Sequence, residues 1–312
     1  MLVNTNRKGV HYMNTSEAYK SCNLCARECG VDRTAGDLGY CSSPDVPMVT
    51  RASLHMWEEP IISGTQGSGT IFFSGCSLGC VYCQNRQISR GAVGLRVNEE
   101  HLANIMLDLE NRGAHNVNFV TPTHYAPSVR AGTRIARSRG FKLPIVYNTG
   151  GYDTVSTIKM LDGYVDVYLP DFKYIRSSSA RDLSFAPDYP EVARAAIAEM
   201  HRQCPEPIIR DGLIKSGVVV RVLLLPMHVA EAKLTVKYLF NEYGDSIYIS
   251  LMNQYTPMPD MMPPLDRRVT VGEYNELVDY AMRIGVKNAF IQEEGTQSES
   301  FIPEFDGSGV ID

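Results

Sequence analysis

The sequence lacks the features of a membrane-spanning or secreted protein. No apolar run approaches the roughly 20 residues that a bilayer span needs, and the first eight residues contain no apolar stretch of the signal-peptide type. Basic residues are not in excess, because 30 Lys and Arg face 35 Asp and Glu and give a net charge of −5. We therefore expect a cytoplasmic protein with no membrane partner, and its overall charge argues mildly against nucleic acid as a partner.

Cysteine is almost absent outside one part of the chain. Of the 8 cysteines, only Cys204 lies outside residues 22–83. A disulfide framework is typical of short secreted chains, and this chain is neither short nor equipped with a signal peptide. Closely spaced thiols in a reducing compartment favour metal binding, so we expect two metal-binding cysteine groups and no role for Cys204.

The second of these groups, here called the three-cysteine loop, consists of Cys76, Cys80 and Cys83. Three thiolates at this spacing can ligate three irons of a cubane [4Fe-4S] cluster and leave the fourth iron open, whereas ordinary electron-transfer clusters close all four. An open iron can bind a substrate or cofactor. The alternative is a structural zinc ion with a distant fourth ligand.

From residue 70 onward, short apolar runs alternate with helical patterns. We predict strands at residues 70–74, 116–120, 144–147, 165–169, 218–225 and 246–251, and helices near 98–112, 127–139, 153–161, 189–203, 229–241 and 271–285. Regular alternation implies parallel strands. The predicted fold is therefore α/β, an open (β/α)6 partial TIM barrel, with the three-cysteine loop at the carboxyl ends of the strands where the chemistry of such folds lies.

Composition divides the chain into four predicted segments. Residues 1–21 form a flexible leader, and residues 22–69 form a cysteine-rich metal-binding segment and a lead-in. Residues 70–290 form the barrel, and residues 291–312 form a tail that packs on it. In the lead-in, Glu58 and Glu59 beside Trp57 either cover the barrel mouth or cap that segment; Gln254 and Tyr255 end the sixth strand and could line a cavity.

The run from Gly75 to Asn85 resembles the signature of the radical S-adenosylmethionine superfamily, in which an aromatic residue before the third cysteine lies near the adenine. Tyr82 has that place here. The resemblance implies a [4Fe-4S] cluster at Cys76, Cys80 and Cys83 that reductively cleaves S-adenosylmethionine to methionine and a 5′-deoxyadenosyl radical. It also implies an external donor of the flavodoxin or ferredoxin type, since the cluster must reach a low potential.

Residues at later strand ends extend the resemblance to the activating enzymes of glycyl-radical enzymes. Asp171 and Lys173 resemble their Asp-x-Lys, Asn148 and Thr149 their Asn-Gly-type turn, and Arg221 their Arg-x-x-x-x-Pro strand. The resemblance implies that these five residues bind the cofactor. Two alternatives stay open: Asp171 and Lys173 could form a surface salt bridge of little energy, and the anionic partner that a buried Arg221 needs could be a cofactor carboxylate or a structural acid.

One part of the pattern departs from that of the activating enzymes. Where they carry Gly-Gly-Glu after the second strand, this chain has Thr121, Thr123 and His124 and no carboxylate. Thr121 and Thr123 could hydrogen-bond the cofactor. His124 could be an acid or base on the substrate side, or simply a histidine at a strand end.

The first cysteine group, here called the four-cysteine site, consists of Cys22, Cys25, Cys29 and Cys41. Four thiolates can close either a tetrahedral zinc site or a fully ligated [4Fe-4S] cluster, and the sequence favours the cluster only narrowly. This group opens a pattern that resembles, over residues 22–310, a subfamily named for the activation of pyruvate formate-lyase.

These observations predict a radical S-adenosylmethionine oxidoreductase that acts on a protein or peptide, as in glycyl-radical activation. Two alternatives remain at this point. The radical could modify a small molecule or an RNA, or the chain could be a non-catalytic iron–sulfur or zinc scaffold.

Overall fold

The computed structural model describes residues 15–91, 93–292 and 302–310. Its strands are β1 (Met48–His55), β2 (Ser68–Phe73), β3 (Leu95–Arg96), β4 (Val117–Val120), β5 (Ile145–Thr149), β6 (Val167–Pro170), β7 (Ile208–Arg210), β8 (Leu213–Leu223), β9 (Tyr248–Met252) and β10 (Ala289–Ile291). Its helices are α1 (Thr15–Lys20), α2 (Pro60–Ser63), α3 (Arg86–Ser89), α4 (Glu99–Asn111), α5 (Ala126–Ser138), α6 (Val155–Met160), α7 (Ser177–Ser184), α8 (Tyr189–Gln203), α9 (Val229–Tyr243) and α10 (Val271–Ile284).

The strands form one open sheet in the order β10-β9-β8-β6-β5-β4-β2-β1-β3, with β7 paired to β8. Neighbours from β2 to β10 are parallel, while β1 runs antiparallel to both β2 and β3. The six predicted strands overlap β2, β4, β5, β6, β8 and β9, and helices intervene as predicted. The open partial barrel is confirmed, with β10 as an additional parallel strand at one edge.

The barrel strands are buried because helices cover one face and the interior of the barrel covers the other. All positions of β2, β5 and β6 are buried, which explains their nearly continuous apolar sequences. Two of the helices begin at clear polar caps: the Asn98 side chain accepts from the backbone of His101 at the start of α4, and Thr270 and Glu273 form a capping box at α10.

The lead-in contains a strand for which no prediction was made, because β1 extends the sheet by antiparallel pairing with β2 over residues 49–55. The described part of the tail then lies along β1. The backbone of Ala52 donates to the carbonyl of Ser308, and that of Gly307 donates to the carbonyl of Thr50, each at 2.9 Å.

The described part of the predicted flexible leader is helical. Tyr19 on α1 is buried, and its hydroxyl lies 3.0 Å from that of Ser128 on α5. Residues 1–14 lie outside the described residues. Within the described chain, no helix has both the length and the apolar character needed to cross a bilayer.

Candidate functional site

A cavity opens at the carboxyl ends of the parallel strands. Its walls contain most of the residues that the sequence singles out: Cys76, Cys80, Tyr82, Cys83, Thr121, Asn148, Thr149, Asp171, Lys173 and Arg221. These residues come from the ends of β2, β4, β5, β6 and β8, which lie side by side in the sheet. Parallel strands bring their carboxyl ends to one edge, so residues far apart in sequence converge there.

The three-cysteine loop directly follows β2, and its sulfur atoms receive hydrogen bonds. The backbone N–H of Leu78 donates to Cys76 Sγ at 3.4 Å, and the Ser184 hydroxyl donates to Cys80 Sγ at 3.0 Å. Burial raises the pKa of the Cys76 and Cys80 thiols. Because metals bind thiolates, a metal centre bound at the loop would hold these buried sulfurs in the ionised form.

Tyr82 forms part of the cavity wall next to the second cysteine. Its hydroxyl lies 2.6 Å from that of Tyr174, which in turn lies 2.7 Å from the Ser184 hydroxyl. Since Ser184 also donates to Cys80, a chain of hydrogen bonds fixes the Tyr82 ring relative to the sulfur. The ring of Tyr255 contacts Tyr82 edge-on, with centroids 6.2 Å apart.

Asp171 and Lys173 form an ion pair in the cavity wall. The Lys173 ammonium lies 2.5 Å from the Asp171 carboxylate, and the side chains are 13% and 26% exposed. Burial alone would lower the pKa of Lys173, but Asp171 and the Cys80 thiol together raise it. The pair is therefore not a solvent-exposed surface bridge, and it places a cation close to the three-cysteine loop.

Arg221 pairs with two acids of the lead-in segment. Its Nε donates to Glu59 at 2.8 Å, and one Nη donates to Glu59 at 2.7 Å and also to Glu58. Glu58 additionally accepts a 2.8 Å hydrogen bond from the Asn118 amide. Of the two partners that the sequence left open for Arg221, the structure supplies the structural acids.

Four polar residues at the ends of β4 and β5 differ in whether they reach the cavity: Thr121, Thr123, Asn148 and Thr149. Thr121 lines the cavity with φ of 56°, a left-handed conformation that is strained for a β-branched residue. The Thr149 hydroxyl donates to buried Asp153 at 2.5 Å and lies 3.1 Å from the Thr123 hydroxyl. Thr123 thus lies behind the wall, outside the cavity lining, whereas Asn148 and Thr121 reach it.

His124 is a buried structural residue. Its Nε2 lies 2.8 Å from the carbonyl oxygen of Ser74, and its own carbonyl accepts a 2.6 Å hydrogen bond from Arg33. Burial, assisted by the Arg33 charge, lowers the pKa of His124 to about 3. It is outside the cavity lining, so the simpler of its two interpretations fits the structure.

Several cavity residues carried a weak sequence signal or none. Trp57, Glu58, Gln254 and Tyr255 were only loosely indicated, His55 was not indicated at all, and Ile302 and Pro303 were indicated only as part of a tail that packs on the barrel. His55 ends β1, and the last two come from the tail. These residues reach the cavity because β1 and the tail pair with parts of the chain that are distant in sequence. A local sequence motif does not predict such pairing.

The four cysteines of the first group lie beside the barrel mouth and outside the cavity lining. Cys22, Cys25 and Cys41 are buried and Cys29 is exposed. Burial, with smaller contributions from the neighbouring thiols of Cys41, Cys22 and Cys29, raises the pKa of Cys25 to about 12. In neither cysteine group, nor elsewhere in the described residues, do three His, Cys, Asp or Glu side chains converge closely enough for a single metal ion.

Comparison with known proteins gives one family match. Residues 63–186 match the model of a 4Fe-4S single cluster domain. The chain is also 28% identical over 274 residues to an uncharacterized protein of Methanocaldococcus jannaschii, MJ0674, covering 84% of this chain and 75% of that protein.

Solved structures with some likeness include SuiB of Streptococcus suis bound to the precursor peptide SuiA, with 14% identity, 71% of this chain covered and a TM-score of 0.49. A domain of the pyruvate-formate lyase-activating enzyme from Bacteroides vulgatus matches at 14% identity, with 58% of this chain and all of that domain covered and a TM-score of 0.42. This chain spans about half the length of SuiB, 47%. Likenesses this slight carry no argument about the activity.

The residues that match this family model include the three-cysteine loop, where the sequence resembles the radical S-adenosylmethionine signature.

Proposed function

We propose that this chain is a radical S-adenosylmethionine enzyme that binds a [4Fe-4S] cluster at Cys76, Cys80 and Cys83 and acts on a protein or peptide. The observation that carries the proposal is the single cavity that contains the three thiols together with Tyr82, Asn148, Asp171 and Lys173. When bound, the cluster supplies the electron that cleaves S-adenosylmethionine to methionine and a 5′-deoxyadenosyl radical.

The donor set fits such a cluster. The loop offers three thiols and no fourth cysteine, since Cys204 lies elsewhere with its Sγ 3.4 Å from the carbonyl of Asp166. Hydrogen bonds from Leu78 and Ser184 to the sulfurs are of the kind that tunes cluster potentials. Tyr82 presents an aromatic ring beside the loop, which suits contact with an adenine.

The charge of the cavity wall fits a cationic ligand. Asp171 balances Lys173, but Glu58 and Glu59 share one guanidinium, so their cluster has an excess negative charge. S-adenosylmethionine carries an ammonium and a sulfonium group. We assign to Glu58, which lines the cavity, the amine contact that Gly-Gly-Glu makes in the activating enzymes.

In this assignment Arg221 and Asn118 hold Glu58 in place. Both donate to its carboxylate, and Glu59 keeps the guanidinium oriented by accepting two of its hydrogen bonds. A preorganised carboxylate pays little ordering entropy when the ligand binds. Lys173, the cation next to the loop, would orient the cofactor carboxylate.

A polypeptide substrate suits the open side of the cavity. The described tail already runs beside it, with Ile302 and Pro303 in the lining and Phe305 against Phe72 at 5.5 Å between ring centroids. The cavity rim thus accommodates an extended polypeptide. The electron donor in this proposal is a flavodoxin or ferredoxin.

The test is anaerobic reconstitution of the full chain with iron and sulfide, followed by dithionite and S-adenosylmethionine. We expect 5′-deoxyadenosine and methionine in equal amounts. A fully loaded cluster that yields neither product would overturn the proposal.

Transfer of a radical to a polypeptide needs a separate measurement. Deuterium from a labelled candidate protein, or from a library of peptides, should appear in 5′-deoxyadenosine. Deuterium transfer only from small molecules or from RNA would retain the radical chemistry and reject the polypeptide substrate.

A further inference from the structure

A buried arginine without an acidic partner lies beside the four-cysteine site. Arg33 is 1% exposed, and its guanidinium donates to the carbonyls of His124 and Pro44. The same group lies 3.8 Å from Cys22 Sγ. Tyrosine rings cover it, with Tyr19 4.3 Å and Tyr125 5.1 Å from the guanidinium carbon.

This charge is uncompensated by any carboxylate among the described residues. The charged or ionisable groups that act on it are the thiols of Cys22 and Cys41 and the two tyrosines, and its Nε is a buried donor with no partner. A buried cation is costly unless an anion balances it. The nearby anion must therefore form at the cysteines.

The four-cysteine site also supplies backbone donors to sulfur. The N–H of Tyr40 donates to Cys29 Sγ at 3.4 Å, in the same way as the N–H of Leu78 donates to Cys76 Sγ in the three-cysteine loop. Thiolates that ligate a metal centre retain acceptor capacity, and such donors tune iron–sulfur potentials. The two cysteine groups therefore share this feature.

The described thiols do not form a ready-made site for a single metal ion. A zinc ion needs its sulfurs within about 2.3 Å of one point. In the described residues no three thiols converge that closely, although the thiols of Cys22, Cys29 and Cys41 lie near enough to that of Cys25 to interact with it electrostatically. The three-cysteine loop, which lies within the residues that match the model of a 4Fe-4S single cluster domain, likewise shows no such convergence.

The four-cysteine site lies directly against the three-cysteine loop. A Cβ on Gly75 would lie 2.8 Å from the carbonyl oxygen of Cys41 and 2.1 Å from Ser43 Oγ, so only glycine permits this approach. Arg27, between Cys25 and Cys29 in sequence, donates to the carbonyl of Ser77 in the loop at 3.0 Å.

We propose that Cys22, Cys25, Cys29 and Cys41 bind a second, fully ligated [4Fe-4S] cluster, that Arg33 balances its charge, and that it relays electrons to the three-cysteine loop. One electron from a reduced flavodoxin or ferredoxin reduces this cluster, which is oxidised again as it reduces the cluster of the loop. Each of the four irons would have a cysteine ligand, as in electron-transfer clusters. The relay rests on the proposed function, whereas the cluster itself does not.

Metal analysis of anaerobically purified full-length protein tests the cluster. We expect about eight iron atoms per chain and no stoichiometric zinc, falling to about four iron atoms in the double variant Cys22→Ala/Cys25→Ala. Cys29→Ser, at an exposed position, is a second variant that tests the same site with less disturbance of packing. Cys204→Ala is the matched control and should keep the full iron content.

Zinc at one atom per chain with about four iron atoms would overturn the cluster. Unchanged iron content in Cys29→Ser and in the double variant would do the same. Mössbauer spectra of the double variant should retain one [4Fe-4S] component, which separates loss of one site from general unfolding.

Arg33→Met and Arg33→Lys test the charge balance. We expect Arg33→Met to weaken iron retention at the four-cysteine site by about 10- to 100-fold against a chelator, a range typical of outer-shell partners, with partial rescue in Arg33→Lys. Equal retention in the wild type and Arg33→Met would reject this role.

Two reductants test the relay. In Cys29→Ser, deoxyadenosine formation should be lost with reduced flavodoxin or ferredoxin but retained with dithionite, which reaches the loop directly. Equal rates with a protein donor in the variant and the wild type would overturn the relay. If the wild type forms no deoxyadenosine with either reductant, the proposed function fails while the iron count still decides the second cluster.

Discussion

Two buried arginines, one on each side of the three-cysteine loop, have opposite surroundings. Arg221 at the cavity lies between two carboxylates, so its cluster has surplus negative charge. Arg33 at the four-cysteine site contacts carbonyls, rings and a thiol, so its positive charge is in surplus.

The difference indicates what each site accepts. Buried charge must be balanced, so the cavity side calls for a cationic ligand group and the four-cysteine side for an anionic centre. The same residue type therefore indicates a different ligand at each site. The groups that contact each arginine, rather than the arginine itself, indicate which ligand the site accepts.

The largest expected effect is the loss of product formation when the three-cysteine loop loses a thiol. Cys80→Ala removes one of the three thiolates of the loop, so we expect complete loss of deoxyadenosine formation even with dithionite, because the cluster has lost a ligand. Product analysis by mass spectrometry measures this. Cys204→Ala serves as the control, and turnover by Cys80→Ala near the control level would remove the loop from the mechanism.

The second prediction concerns removal of the positive charge of Arg221 at the cavity. Arg221→Met leaves Glu58 and Glu59 buried without a cation and should destabilise the fold by about 3–5 kcal/mol. Urea unfolding under anaerobic conditions, followed by circular dichroism, gives the value. Arg221→Lys keeps the charge and should lose less, and a loss below about 1 kcal/mol in Arg221→Met, as for an exposed pair, would contradict the described burial.

The third prediction reduces the surplus negative charge without breaking the arginine pair. Glu58→Gln keeps Glu59 on Arg221 but removes the carboxylate that lines the cavity, so S-adenosylmethionine should bind about tenfold more weakly, a cost of about 1.4 kcal/mol. Equilibrium dialysis with the reconstituted protein measures the affinity. Glu276→Gln, which removes an exposed acid on α10, is the matched control, and unchanged affinity in Glu58→Gln would reassign the amine contact.

The smallest prediction concerns His124, which connects the two regions through Arg33 and Ser74. Its folded pKa of about 3 lies below the ordinary value of 6.5, so below pH 6.5 the unfolded state binds the proton that the folded state excludes. Stability is therefore lost as pH falls, by about 1.4 kcal/mol between pH 7.5 and 5.5. The free energy of unfolding, measured with urea, should fall by this amount more in the wild type than in His124→Gln between these two pH values. An identical pH dependence in the two proteins would contradict the prediction.

The sequence predicted the barrel strands well because each is a continuous apolar run bounded by turn residues. It did not predict β3, β7 and β10, which have only two or three residues and are too short to show a period. The lead-in strand β1 alternates only imperfectly between buried and half-buried positions, and its pairing with β2 depends on tertiary structure.

The candidate site was predicted in part, for a related reason. Residues that follow strands in a motif, such as Asp171 and Lys173, converge because the topology brings strand ends together. The partners of Arg221 lie 162 and 163 positions away in sequence, and a buried arginine demands an anion without specifying which one. The role of Glu58 therefore needed the structure.

The bond network from Glu58 and Glu59 to Arg221 has a mechanical consequence. The two acids follow β1, next to β2, whereas Arg221 is on β8, with β4, β5 and β6 between them in the sheet. The ion pairs thus connect the two ends of this curved row of strands directly. The distance between the two ends then limits how strongly the sheet can curve. In this molecule the charges that face the cavity also fix the width of its mouth.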